Sequence, residues 1–174
     1  MEEPEEILEK ESIEYSSIEK ISEDAGRMKN IYRIQTDDKG EIGLYKYKQG
    51  KAGERGRTIQ QRINAEIHTF QQIGNQTNSK TPDIISTDHQ TYIICNWLKG
   101  ENTGTKIENN QQKETLAKKL GEALAEIHSI QYQKFGEIDQ NGIEKPYDNW
   151  KDFIQKVIDF LKQFDSEEIV QEGI

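Results

Sequence analysis

Residues 91–100 read Thr-Tyr-Ile-Ile-Cys-Asn-Trp-Leu-Lys-Gly. Tyr92, Ile93 and Ile94 form an aromatic and β-branched run, the composition a buried strand requires. The run passes through Cys95, Asn96 and Trp97 and stops at Lys99-Gly100, a turn signal. Upstream of it the sequence predicts short strands and one helix; downstream, almost wholly helices. The expected fold class is therefore α+β. A strand-rich part over residues 1–98, with an antiparallel sheet and one helix, precedes a helical part over residues 99–174. A strand at such a boundary lines a cleft between the two parts, where small ligands favour binding.

Working upstream, residues 83–87 behind Pro82 read as a strand, and Asp88-His89-Gln90 as a turn that leaves His89 solvated. Ile59, Ile63, Ile67, Phe70 and Ile73 recur at helical spacing from Thr58, and Gly74 is placed to end that helix as its C′ residue. Glu66 lies beside this apolar stripe; taken alone it is an ordinary solvated glutamate. Ile31–Ile34 alternates as a half-buried strand, Thr36–Gly40 is a hairpin turn in which Gly40 supplies positive φ, and Ile42–Lys48 is the returning strand. Ile42, Leu44, Lys46 and Lys48 share one face of it. A lysine there either snorkels along a sheet edge or projects into a cleft to meet a phosphate, and the local sequence fits both. Residues 7–21 give a short acidic helix and a first strand.

Downstream, Asn109 or Asn110 caps a helix reaching about Ile130, with Leu116, Leu120, Leu124 and Ile127 expected inward. His128 near its end reads as structural. Phe135–Asp139 is a loop, Asn141-Gly142 a turn, and Asp148 or Asn149 the cap of a last helix. That helix carries Trp150, Phe153, Ile154, Val157, Ile158, Leu161 and Phe164 in a wide apolar stripe.

Composition narrows the function classes. The 174 residues carry 32 acidic against 23 basic side chains, a net charge of −9, which argues against a general nucleic-acid or acidic-membrane binder. A single cysteine, Cys95, forms no internal disulfide and fits a reducing, cytoplasmic compartment. His68, His89 and His128 lie too far apart to give metal-ligand spacing. No apolar run reaches transmembrane length. The Gly-rich segment Gln49–Arg57 does not have the P-loop pattern.

Five stretches together resemble the amino-terminal part of the aminoglycoside phosphotransferase and choline kinase family, which has a protein-kinase-like fold. Gly26-Arg27-Met28-Lys29-Asn30 with Ile31–Ile34 is similar to the family's G-G-M-S-N turn and second strand, with Arg27 replacing the second glycine and Lys29 the serine. Leu44-Tyr45-Lys46-Tyr47 resembles the strand bearing the nucleotide lysine. Arg62-Ile63-Asn64-Ala65-Glu66 resembles the helix that ends in its glutamate partner. Thr81-Pro82-Asp83 and Tyr92–Gly100 resemble the two strands leading into the hinge. Leu120–Ser129 is similar to the family's long helix ending in Ile-His, and Phe135-Gly136 and Trp150 continue the likeness. The ordered set spans most of residues 20–160. A eukaryotic-type protein kinase fits less well, because its G-x-G-x-x-G loop is missing and Gln131–Phe135 stands near where H-R-D should follow.

The resemblance implies that Lys46 holds the α- and β-phosphates of ATP, that Glu66 holds Lys46, and that the backbone of Cys95, Asn96 and Trp97 meets adenine. It also implies that the turn from Gly26 to Asn30 covers the phosphates. Mg²⁺ is expected for the family, but no His-Gly-Asp occurs in the sequence, and the metal-binding aspartate is missing too. Residues 1–174 alone are thus expected to turn over little or nothing. Two readings follow. One is the nucleotide-binding portion of an ATP-dependent small-molecule phosphotransferase whose acceptor is a hydroxyl. The other is a non-catalytic, pseudokinase-like module that meets a partner, or itself, through the Trp150–Phe164 helix.

Overall fold

The computed structural model describes residues 2–22, 28–48, 58–100, 109–139 and 142–165. The order of elements is α1 (Pro4–Lys10), β1 (Tyr15–Ser22), β2 (Lys29–Thr36), β3 (Glu41–Tyr47), α2 (Ile59–Gln76), β4 (Ile84–Thr87) and β5 (Tyr92–Asn96), followed by α3 (Asn110–His128), β6 (Phe135–Asp139), β7 (Gly142–Tyr147) and α4 (Trp150–Asp165). The first five strands make one antiparallel sheet in the order β1-β2-β3-β5-β4, and β6 pairs with β7 in a separate hairpin. The class is α+β.

Local chemistry sets the joints. The Thr36 hydroxyl donates to the Gly40 carbonyl at 2.7 Å while Gly40 turns at φ +71°, which fixes the β2–β3 register with Ile34 opposite Ile42. Thr58 and Gln61 form a reciprocal capping box, each side chain accepting from the other's backbone N–H, and so start α2. Ser12, at φ +55°, ends α1. Its N–H reaches the Glu9 carbonyl at 3.0 Å and that of Ile13 reaches Leu8 at 2.9 Å, with Leu8 and Ile13 both buried. This is the hydrophobically closed Schellman pattern, with serine where glycine is usual.

The period of two along the strands sends side chains to two covered faces. On one face Ile7, Leu8 and Ile13 from the N-terminal segment pack against Ile34, Ile42, Leu44, Tyr92 and Ile94. On the other, Ile63 and Ile67 of α2 pack against Tyr47, Ile93 and Cys95, with Tyr45 at their margin. Helix on both sides explains why Tyr92, Ile93, Ile94 and Cys95 are all fully buried and why their sequence does not alternate. Each such aliphatic side chain contributes about 1.5–3 kcal/mol on burial.

Four local expectations change. Gly74 does not end α2, which continues to Gln76 and is capped by Thr77 in extended conformation. A Cβ at Gly74 would stand 2.7 Å from the Thr81 Oγ1, so the glycine is there because the segment entering β4 crosses the helix at that point. His89 is not simply solvated: it turns at φ +58° and its Nδ1 lies 2.9 Å from the Asn64 Oδ1. Phe135–Asp139 is a strand rather than a loop, paired with β7 and packed against α2. Finally, Asn109 caps α3 as expected, but no residue of α3 is buried; Leu120 is 56% and Leu124 43% exposed. α4 is fastened at its start by aromatic contacts, with the Phe135 and Trp150 rings 5.8 Å apart, edge to face, and those of Tyr147 and Phe153 5.9 Å apart.

Candidate functional site

Strand parity divides the sequence-predicted site residues between the two faces of the sheet. Asn30 stands opposite Lys46 in the β2–β3 register, and Lys46 opposite Tyr92, which puts them on the α1 face. Cys95 lies on the α2 face with Glu66, and Trp97 follows it there, its ring against Gly43. Asn96 is used structurally: its Oδ1 accepts from the Asp83 N–H at 2.7 Å and its Nδ2 donates to the Asp83 carboxylate at 3.0 Å, tying β5 to the approach to β4. Gly26 lies outside the described residues.

Glu66 is therefore held by a different lysine from the one the resemblance implies. One carboxylate oxygen takes the Lys29 ammonium and the other accepts from the Tyr47 hydroxyl at 2.5 Å. Lys46 and Glu66 are separated by the sheet itself, because Tyr45 and Tyr47, not Lys46, face α2. Lys29 is also wedged over the Tyr45 ring, 4.4 Å from its centroid, and 5.6 Å from that of Tyr47. The signal that could have found Lys29 was the hairpin register. It places residue 29 directly opposite Tyr47, hence on the same face.

The surroundings of this pair are partly buried and aromatic. Burial, and then the neighbouring Glu66 charge, push the Tyr47 phenol far above its usual range. Burial pushes the Cys95 thiol up to about 11, so it stays protonated, with its Sγ 3.7 Å from the Gly43 carbonyl. Cys95 is thus a wall residue and not a nucleophile. At the open end, Arg33 lies over the Trp97 ring, 5.7 Å from its centroid, and is paired with Glu41. A half-buried Lys–Glu pair, two tyrosines and a tryptophan in one row can hold an anionic group beside a flat apolar one.

Lys46 occupies a second setting. It is neither an edge residue nor a partner of Glu66, since β3 lies between β2 and β5 and the side chain is only 6% exposed. Its Nζ is 3.8 Å from a Glu3 carboxylate oxygen, an ion pair too long for a hydrogen bond. Asp88 lies nearby, at the turn into β5. Burial works to raise its pKa, but the Thr91 hydroxyl and the Thr91, Gln90 and Tyr92 amides outweigh it and hold the carboxyl below its usual range.

Among the described residues no three His, Cys, Asp or Glu side chains gather as a metal site, and no helix is long and apolar enough to cross a membrane. Compared with known proteins, the chain is matched by no family model and by no curated sequence.

Proposed function

We propose that the chain is the nucleotide-binding portion of an ATP-dependent small-molecule phosphotransferase, with Lys29 rather than Lys46 as the phosphate-facing lysine. The observation that supports this reading is the Lys29–Glu66 pair. The glutamate comes from α2, which lies in sequence between the third and fourth strands of a five-stranded antiparallel sheet, and the lysine from a strand of that sheet. A lysine fixed by a glutamate in a partly buried setting offers a positioned positive charge to the α- and β-phosphates. Tyr45, Cys95 and Trp97 continue the same face and suit the adenine ring. The described residues give Mg²⁺ no carboxylate set, so the reading covers binding and no transfer step is derived.

Calorimetry with ATP and Mg²⁺ tests it on the wild type and on Lys29→Ala, Glu66→Gln and Lys46→Ala. The wild type binds; Lys29→Ala weakens binding at least tenfold, about the 1.5–3 kcal/mol of a charge-assisted hydrogen bond. Lys46→Ala changes it little. Absence of heat with the wild type sinks the proposal, and loss in Lys46→Ala with retention in Lys29→Ala reverses the assignment of the two lysines.

A specific observation also favours the second reading, a non-catalytic module acting through protein contacts. Leu120, Leu124, Trp150 and Ile158 are all exposed, and apolar surface in quantity usually marks an interface. Light scattering on the eluting species separates the two: a monomer at all concentrations removes self-association through these helices.

A further inference from the structure

We propose that α4 is the contact face of a symmetric dimer, in which a second copy of this chain lies antiparallel along it with Ile158 at the two-fold axis. The inference rests on the protein-contact reading above and names the partner. Trp150, Ile154, Val157, Leu161 and Phe164 recur at alternating steps of four and three residues, the spacing of a seam between two helices. The β6–β7 hairpin packs on the Phe153 edge of this stripe, with the Tyr147 and Phe153 rings 5.9 Å apart. Trp150 nevertheless remains 56% exposed and Ile158 39%. An apolar strip is therefore open on the side of α4 away from Phe153.

Charge selects what covers that strip. Several charged side chains of α4 are engaged within the molecule. Asp152 accepts from the Asn149 side chain at 2.6 Å, and Lys156 lies over the Tyr147 ring, 5.7 Å from its centroid. Asp159 accepts from Gln155 at 2.8 Å and pairs with Lys162 at 3.9 Å. Lys151 and Asp165 are placed differently. Each lies about two turns from Ile158, one before it and one after, on the same side of the helix. They stand about 21 Å apart along the axis, too far to meet within one helix.

An antiparallel second copy centred on Ile158 brings Lys151 level with Asp165 of the other copy, twice, and residue 154 level with residue 161. It also opposes the two helix dipoles. A parallel copy would set Lys151 against Lys151 and Asp165 against Asp165. The face is thus complementary to itself, which an isologous interface requires. At a net charge of −9 two copies repel each other overall, so association reports this local match.

Sedimentation equilibrium of the full chain at physiological ionic strength tests the proposal. The wild type is expected to dimerise reversibly as its concentration rises. Lys151→Asp or Asp165→Lys alone sets like charges against each other and should weaken the dimer about tenfold, whereas the double variant should return to within about threefold of the wild type. Both changes place the sign of charge that suits their end of the helix, so folding is not at risk. Ile158→Ser should weaken the dimer by about tenfold or more through lost apolar contact. A wild type that is monomeric at every concentration overturns the dimer, and leaves the protein-contact reading standing for an unlike partner. A dimer that ignores the charge changes, or that the double variant fails to restore, overturns the antiparallel register. A dimer abolished by Leu120→Ser and untouched by Ile158→Ser lies on α3, which overturns the assignment to α4.

Discussion

Glu11 ties the N-terminal helix to the far strands of the sheet. Its backbone closes α1, and its carboxylate accepts from the hydroxyls of Ser86 on β4 and Tyr92 on β5. Those two bonds, Ser86 first, hold its pKa below the ordinary 4.5. The folded state thus binds this proton only at lower pH than the unfolded chain does, so the stabilisation is fully present above 4.5 and is lost as pH falls through the folded value. The difference in stability between wild type and Glu11→Gln should accordingly be constant from neutral pH down to 4.5 and shrink only below that value; urea melts at several pH values check this. A difference that stays constant below 4.5 as well would show that the carboxylate charge is not what the two hydroxyls hold. At the same scale, Lys46 and Lys29 show what a residue list leaves open. Both are strand lysines, and only the face each occupies decides which acid it meets.

The elements differ in how fully their own sequences specify them. α2 has its cap at Thr58, its stripe at Ile59, Ile63 and Ile67, and so reads clearly from periodicity. Its end does not, because the reason for Gly74 lies in another segment, at Thr81. Gly74→Ala should lose stability, about 1–3 kcal/mol from the overpacked contact, although alanine favours a helix interior by about 0.5–1 kcal/mol. In a Thr81→Ala background the same change should become neutral or favourable, since the 2.7 Å contact is removed. Chemical melts of the four proteins measure that coupling. The β6–β7 hairpin was illegible for a related reason. Phe135 and Tyr147 are held by aromatic contacts with α4, and β6 by packing on α2, rather than by an alternating pattern of their own.

At the scale of the molecule the apolar residues are divided unevenly. The sheet is covered on both faces, whereas α3 contributes no buried side chain among the described residues. Ile94→Ala, in the doubly covered β5, should cost about 2–5 kcal/mol. Leu120→Ala, on a helix with the same kind of apolar spacing, should stay within about 0.5 kcal/mol. Equal losses would mean that α3 is covered in solution, as the partner-binding reading requires. The thermal or urea midpoint, followed across a range of protein concentrations, distinguishes cover by a second copy from a stand-alone helix.

The β6–β7 hairpin apart, the strands and helices, the Thr36–Gly40 turn and the buried run that starts at Tyr92 were legible in the sequence. Each rests on interactions within a few residues or on a period that a single chain displays. Tertiary structure alone decided that Glu66 meets Lys29 and Tyr47, that Lys46 turns to the α1 face, and that the leucines of α3 lie open. The physical reason is that a strand alternates faces every residue. Which face a helix covers is a property of packing between distant segments and is not written at either lysine.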